Sequence, residues 1–332
     1  GYPLNMEKDI KADRGAYFVH AHLEVPSGER RQWSRVAEVN QDAADLASLV
    51  DMLQSGKMAG TRVREDLKES SADLFFLLVS SDALQCTEDK LSTARHLSNV
   101  LFNVMRGGIF QENFEIQKGD FLAFVLQANK TLVQEAEELI KNCAIPILYK
   151  DMLEKARMNH SPNLVRLCYE YLPLSFSRRH GDPSRPWNKF SIENRNKDGS
   201  RKLDFEGNWR DIFQNWEALG LSFPAFVESM ISKFVSASTA DGYNPYRITR
   251  GGIDWEVPDP SDPWSNIGYW GDHQVIYLLK FLEISENHHP GQLQELLSME
   301  LFSYANVPYR IVSYRELLED PQNTIVFDDK LE

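Results

Sequence analysis

Gly207-Asn208-Trp209-Arg210-Asp211-Ile212-Phe213-Gln214-Asn215 opens a helix, and the architecture of the chain is read outward from it. Trp209, Phe213 and Trp216 recur at i, i+4 and i+7, the spacing of one helical face, which favours Trp209 and Trp216 as core residues over ligand-stacking ones. Arg210 and Asp211 fall in the first turn, just after Gly207, where the helix N-terminus stabilises an ionised carboxylate. An ionised Asp beside an Arg can clamp two vicinal sugar hydroxyls. The same pair is also what a plain acidic first turn with a surface ion pair looks like, and spacing alone favours that blander reading.

The helical pattern extends both ways. Downstream it predicts helices over 207–219, 222–237, 266–284 and 291–302, with Ser222 and Pro224 marking one start and Pro290-Gly291 separating the last two. Upstream it predicts one helix over 89–105, halted by Gly107-Gly108, and a single long one from Asp120 through Ile140. Shorter helices are expected at 148–158 and 162–171, the latter with Ser161 as N-cap and Pro162 at the first helical position. Polar, aromatic loops at 173–205 and 240–265 are longer than ordinary connections and too rich in Trp and Tyr to read as disorder. Helices paired by long decorated loops fit a toroid of helical hairpins with its site at one mouth.

The first eighty residues differ. Residues 16–25 and 32–39 read as strands around the turn Pro26-Ser27-Gly28, and Asp42 reads as the cap of a helix through Leu46, Leu49, Val50 and Leu53. Leu74 to Val79 is an apolar run that fits a buried strand or a helix. So few strands make a poor independent domain, so residues 1–84 are expected to be the end of a β-sandwich plus a helical connector, and 85–332 an incomplete toroid.

A net charge of −13 argues against nucleic acid or anionic lipid as partner. No stretch approaches the ~18 apolar residues of a membrane span. Cys86, Cys143 and Cys168 are odd in number and widely spaced, so they are expected to be buried thiols in a reducing compartment, and the location is read as cytoplasmic. Gly1-Tyr2-Pro3 is no signal peptide and lacks an initiator Met, so a longer parent protein is expected.

Three segments carry candidate chemistry. In Ser177 to Trp187, Arg178, Arg179 and Arg185 surround a Gly-Asp-Pro turn and suit an oxyanion such as phosphate, or equally an ion-pair network with Asp182 and Glu170. The helix opening at 207–215 adds Gln214 to Arg210 and Asp211. In Asp262 to Gln274, Trp270, Asp272 and His273 form a sugar-binding mouth; no third ligand has metal-site spacing. Of the seven tryptophans all but Trp33 fall between Trp187 and Trp270, and Trp187, Trp255, Trp264 and Trp270 lie in or beside loops, where indoles stack on sugars. His288-His289 reads as a solvated loop.

The order of these motifs resembles the cellobiose phosphorylases and related six-hairpin (α/α)6 glycosidases, whose aromatic-Arg-Asp-x-x-Gln-Asp/Asn run heads a barrel helix. Trp209-Arg210-Asp211-Ile212-Phe213-Gln214-Asn215 is similar to it, and Asp241-Gly242-Tyr243 and the 259–274 segment follow in the family's order. The resemblance spans roughly residues 90–285. It implies that Arg210, Asp211 and Asp272 hold the sugar before the scissile bond, with Gln214, Trp187, Trp270 and His273 around it. Two features depart from the family: its Trp-Asn-Asp motif, which carries the general acid, is absent, and Gly271-Asp272-His273-Gln274 differs from the usual form. The acid is therefore expected beyond Glu332 in a longer parent protein, or never to have existed, and the catalytic residue is unassigned.

The expected function is action on a glycosidic bond, as a glycoside phosphorylase or inverting hydrolase, with inorganic phosphate as candidate co-substrate and no other cofactor. The expected partners are a small carbohydrate and the rest of the parent chain, homo-oligomers being compatible with an uncovered apolar face. A non-catalytic carbohydrate-binding or scaffold module is the alternative, and a metal-dependent hydrolase using His180, Asp182, Asp272 and His273 a third. Sugar identity and phosphorolysis against hydrolysis are not encoded in these motifs.

Overall fold

The computed structural model describes residues 22–33, 41–55, 59–81, 83–105, 108–110, 112, 114–176, 196, 202–255, 261, 274–320, 324–328 and 330. Within them the chain is mainly helical with a few short antiparallel strands. It divides into two compact units, Gly1–Ser71 and Ala72–Glu332.

In the first unit the expected strands lie mostly outside the described residues. Residues 22–33 form no strand; they hold the expected turn, closed by Glu29 N–H donating to Pro26 O, with Gly28 at φ +82°. Helix α1 (Ala43–Gln54) starts where Asp42 predicts: its carboxylate accepts from Ala44 N and Asp45 N, and Asp45 returns a bond to Asp42 N. Leu46, Val50 and Leu53 on this helix are exposed. Helix α2 (Ala59–Ser80) spans the boundary between the units and takes in residues 74–79, which settles that apolar run as helical.

The second unit holds the main core. Helix α3 (Lys90–Met105) leads into strand β1 (Gly108–Phe110), which pairs antiparallel with β2 (Leu174–Phe176). Between those strands lie α4 (Lys118–Ala128), α5 (Val133–Lys141), α6 (Tyr149–Asn159) and α7 (Pro162–Glu170). The long helix expected over 120–140 is two. Asn129 leaves the helix at φ −157°, ψ 102° and accepts from Thr131 N, a local bond that competes with the i→i−4 ladder and starts a short 3₁₀ turn.

Helix α7 is started as predicted by Ser161 and Pro162, but its cap is itself held from outside. Glu135 on α5 accepts from Ser161 N at 2.5 Å and Ser161 Oγ at 2.8 Å, with His160 Nδ1 at 3.4 Å. Burial would raise the Glu135 carboxyl, yet the Ser161 bonds and the His160 ring outweigh it and hold the group below the ordinary glutamate range. A depressed native value stabilises above the unfolded value of about 4.3, and that stability is lost as pH falls through the native one. Urea midpoints are therefore expected to drop faster below about pH 4.5 in wild type than in Glu135→Gln, and to converge in acid. Parallel curves would rule this out.

The rest of the unit is built on strand β3 (Glu206–Asn208), α8 (Trp209–Ser222), α9 (Val227–Ala237), β4 (Arg247–Thr249), β5 (Gly252–Asp254) and α10 (Val275–His288). Strands β3, β4 and β5 form an antiparallel sheet in that order, so the loop expected over 240–265 is partly sheet. Helices pack in the succession α4–α5–α6–α7, then α7–α9, α9–α10 and α10–α8. Beyond them, α11 (Gln292–Leu297) precedes the β6 (Tyr309–Ile311) and β7 (Ile325–Phe327) pair, with α12 (Tyr314–Glu319) between those strands.

Two aromatic clusters anchor one core. Phe110 stacks on Phe226 with centroids 4.0 Å apart, and Tyr149 joins them. Trp209, Phe213, Trp216 and Phe234 pack at 4.6–5.1 Å. Trp209 and Trp216 are fully buried, as their spacing indicates. Val275, Ile276 and Leu279 on α10 are exposed, an apolar stripe of the kind that promotes association.

Three expectations are corrected here. Cys86 is exposed in residues 83–87, which form no helix or strand, and is not a buried helical thiol, whereas Cys143 is half-buried and Cys168 buried, its thiol pushed up by desolvation. Trp255 is no free stacking platform: its ring lies against Tyr309 at 5.7 Å and Tyr243 at 5.5 Å. His289 is not a solvated loop residue, because its Nδ1 is 2.9 Å from Oε1 of the buried Glu228. No helix among the described residues is long and apolar enough to cross a membrane.

Candidate functional site

The expected clamp stands at the head of α8. Strand β3 runs straight into the helix, and Asn208 at the N-cap makes no side-chain capping bond, so the first-turn N–H groups keep their pull on negative charge. Arg210 Nε and Nη2 both lie 3.4 Å from Asp211 Oδ1, with the Asp side chain mostly covered and the Arg a third exposed. Gln214, one turn on, is exposed.

Helix α10 packs beside α8: the charges of Arg210, Asp211 and Glu217 act on the Tyr277 phenol, and Lys280 Nζ lies 3.6 Å from Glu217 Oε1. Burial, with the Asp211 and Glu217 carboxylates, pushes the Tyr277 phenol up against the pull of Arg210. It therefore remains a hydroxyl donor at neutral pH. At these helix heads Asn208 Oδ1, Trp209 Nε1 and Gln274 Oε1 are buried without a hydrogen-bond partner among the described residues. Each such atom costs about 1–3 kcal/mol, and such costs gather where a ligand completes the bonding.

The structure thus pairs Arg210 with Asp211 and adds Tyr277, whose phenol feels their charges and which no local pattern links to them because it belongs to another helix. Trp187, Trp264, Trp270, Asp272 and His273 lie outside the described residues, as do Arg178, Arg179 and Arg185 and the metal candidates His180 and Asp182. Among the described residues no group of three or more His, Cys, Asp or Glu is placed to hold a metal ion.

A second concavity, of about 760 Å³, lies where α4 faces the β4–β5 turn. Asp120 lines it and accepts from Tyr171 Oη on Oδ2 at 2.5 Å and from Arg250 on Oδ1. Burial and the adjacent carboxylate push the Tyr171 phenol well up, so it stays the donor. Arg250 also donates to Leu203 O, and its own N–H to Phe205 O at 2.9 Å. Glu112, Glu115 and Asp204 add carboxylates to the wall, a surface suited to hydroxyl-rich ligands. Asp120 and Arg250 are 130 residues apart, and no local pattern links them.

Residues 110–173 match the family model of the glycoside hydrolase family 149 insertion domain 1. No curated protein matches the chain. The matched stretch corresponds to a structural module: it begins in β1 and ends just before β2, and the pairing of Phe110 with Leu174 brings its two ends together. An inserted module must leave its host where it entered, and adjacent ends are the geometry that allows it. Over those residues the similarity supports a glycoside hydrolase or phosphorylase type of family, and it covers well under half of the chain.

Proposed function

We propose that this chain supplies the sugar-binding part of a carbohydrate-active protein acting on a glycosidic bond, as a glycoside phosphorylase or an inverting hydrolase. The observation that carries this reading is the head of α8, where Arg210 and Asp211 pair in the first turn and their charges act on the Tyr277 phenol, with three buried polar atoms at the heads of α8 and α10 lacking a partner among the described residues. The insertion-domain similarity of residues 110–173 supports the same class from an independent part of the chain. On this reading α8, α9 and α10 belong to a six-hairpin toroid of the cellobiose phosphorylase type, and α4–α7 are a module inserted into it. Residues 1–84 would then be the end of a β-sandwich and a connector.

Within the site Asp211 accepts from sugar hydroxyls while Arg210 donates to them, and Tyr277 offers a further donor. Asp272, His273 and Trp270 complete the subsite, and Arg178, Arg179 and Arg185 are the candidates for phosphate. Inverting chemistry needs a general acid on the leaving oxygen and phosphate or an activated water on the opposite face. The clamp's part is to hold the sugar so that the two can act in line.

Ligand-observed NMR against a panel of glucosides, with and without phosphate, tests the proposal. Wild type is expected to bind at least one glucoside, and Asp211→Asn to weaken it about tenfold, equivalent to about 1.4 kcal/mol. Sugar phosphate appearing over time would mark a phosphorylase; binding without turnover would favour the non-catalytic module. Equal binding by wild type and variant would sink the clamp.

A further inference from the structure

The β4–β5 turn, α4, α7 and α9 enclose a smaller cleft of about 240 Å³ that shares Arg250, Phe124 and Gln127 with the larger one. That volume is just below the roughly 300 Å³ at which pockets begin to take drug-sized ligands, so an occupant is small. Three cations line it: Arg166 from α7, Lys233 from α9 and Arg250 from the turn. Each arginine has its own carboxylate, Arg166 Nη1 lying 3.0 Å from Glu170 Oε1 and Arg250 bonding Asp120. Lys233 has none. Its ammonium sits 5.5 Å from the Phe124 ring centroid and makes no hydrogen bond or ion pair among the described residues.

The cleft therefore carries one unneutralised positive charge in a partly desolvated place, an arrangement that is costly unless an anion completes it. Desolvation draws the Lys233 ammonium below the ordinary lysine range; Glu170 opposes this, while Arg250 and Arg166 reinforce it. Ser236, one turn along α9, lines the same cleft, and its Oγ is closed to solvent without a partner among the described residues. The rim is shaped closely. A Cβ on Gly251 would stand 2.7 Å from Gln127 Nε2, so a larger residue there would push the end of the Gln127 side chain aside.

We infer that this cleft binds a small oxyanion, seated between Lys233, Arg166 and Arg250 with the Ser236 hydroxyl donating to it. The site is separate from the α8 clamp and does not depend on the sugar reading. Guanidinium forks and an ammonium beside a hydroxyl suit both phosphate and carboxylate oxygens, and the volume leaves room for the group that bears them.

Calorimetric titration of the chain with inorganic phosphate and with acetate, at constant ionic strength held by sodium chloride, tests this. Wild type is expected to bind at least one of them saturably, the identity of which assigns the class. Lys233→Met is expected to weaken it tenfold or more, Ser236→Ala by a few fold, and Lys233→Arg to retain most of it. Neither anion binding, or Lys233→Met binding as well as wild type, would overturn the site. Should Lys233→Met fail to fold, an unchanged affinity in Ser236→Ala would overturn it instead. Asp211→Asn is expected to keep anion binding, so failure of the clamp and failure of this site are read separately.

Discussion

Phe226→Ala is expected to destabilise the Ala72–Glu332 unit by about 3–5 kcal/mol, the range for deleting a buried aromatic ring. Phe226 is fully buried at the corner between α8 and α9. Its ring stacks on Phe110 at an interplanar angle of 10°, and Phe114 and Tyr149 lie 5.7 and 4.7 Å away. Those partners come from the start of the matched module and from α6, so the ring joins the module to the helices that carry the clamp. Tyr149 is pinned in turn by a 2.5 Å bond to Ser229 Oγ, which limits how far the site can collapse into the vacated space. A cavity that cannot close costs the packing lost as well as the apolar transfer. At about 2–4 °C per kcal/mol for a unit of this size, the melting temperature should fall by roughly 6–20 °C. Phe226→Leu, which keeps more of the volume, should cost about 1.5 kcal/mol. Urea midpoints at unchanged m-value are the measurement. A loss below about 1 kcal/mol for the alanine variant would mean that the module and the helices are not joined through this ring.

Glu228→Ala is the second large effect, expected at about 2–3 kcal/mol. The carboxylate is buried on α9 and accepts on one oxygen from Ser285 Oγ at 2.6 Å and His289 Nδ1 at 2.9 Å, both on or just after α10. Its removal leaves the fully buried Ser285 hydroxyl without an acceptor and opens a void between the two helices. The estimate is held below the full cost of breaking a buried pair because the His289 side chain is 30% exposed and can turn to water. Glu228→Gln retains volume and an acceptor and should cost about 1 kcal/mol. A double-mutant cycle with Ser285→Ala should return a coupling above about 0.5 kcal/mol. Additive losses would show that Glu228 and Ser285 do not stabilise one another.

Much of the helical part of the chain was legible locally. Ser161-Pro162 and Asp42 start helices because capping is a matter of three or four residues and their side-chain oxygens. Trp209 and Trp216 were placed in the core because one helical face repeats every few residues. The same logic failed at Asn129, where the apolar period runs on across a break made by a single side-chain bond. Period reports which face is buried, and it is blind to a change of helix axis.

The site divides in the same way. Arg210 and Asp211 were readable because they are neighbours in the first turn of one helix. The influence of the pair on Tyr277, the Glu228–His289 bridge and the packing of Trp255 against two tyrosines all depend on elements distant in sequence.

By itself the sequence determined where helices begin, which faces they bury, the acidic balance, and the Arg-Asp pair with its likeness to a sugar-holding motif. Only the tertiary structure decided that Phe110 meets Leu174 to close a module, that Asp120 meets Arg250 across 130 residues, and that Lys233 has no carboxylate at ion-pair distance among the described residues. The physical reason is range. Caps and periodicity are set by backbone bonds spanning about four residues, whereas a cleft is set by the packing of helices whose order in space no local bond records.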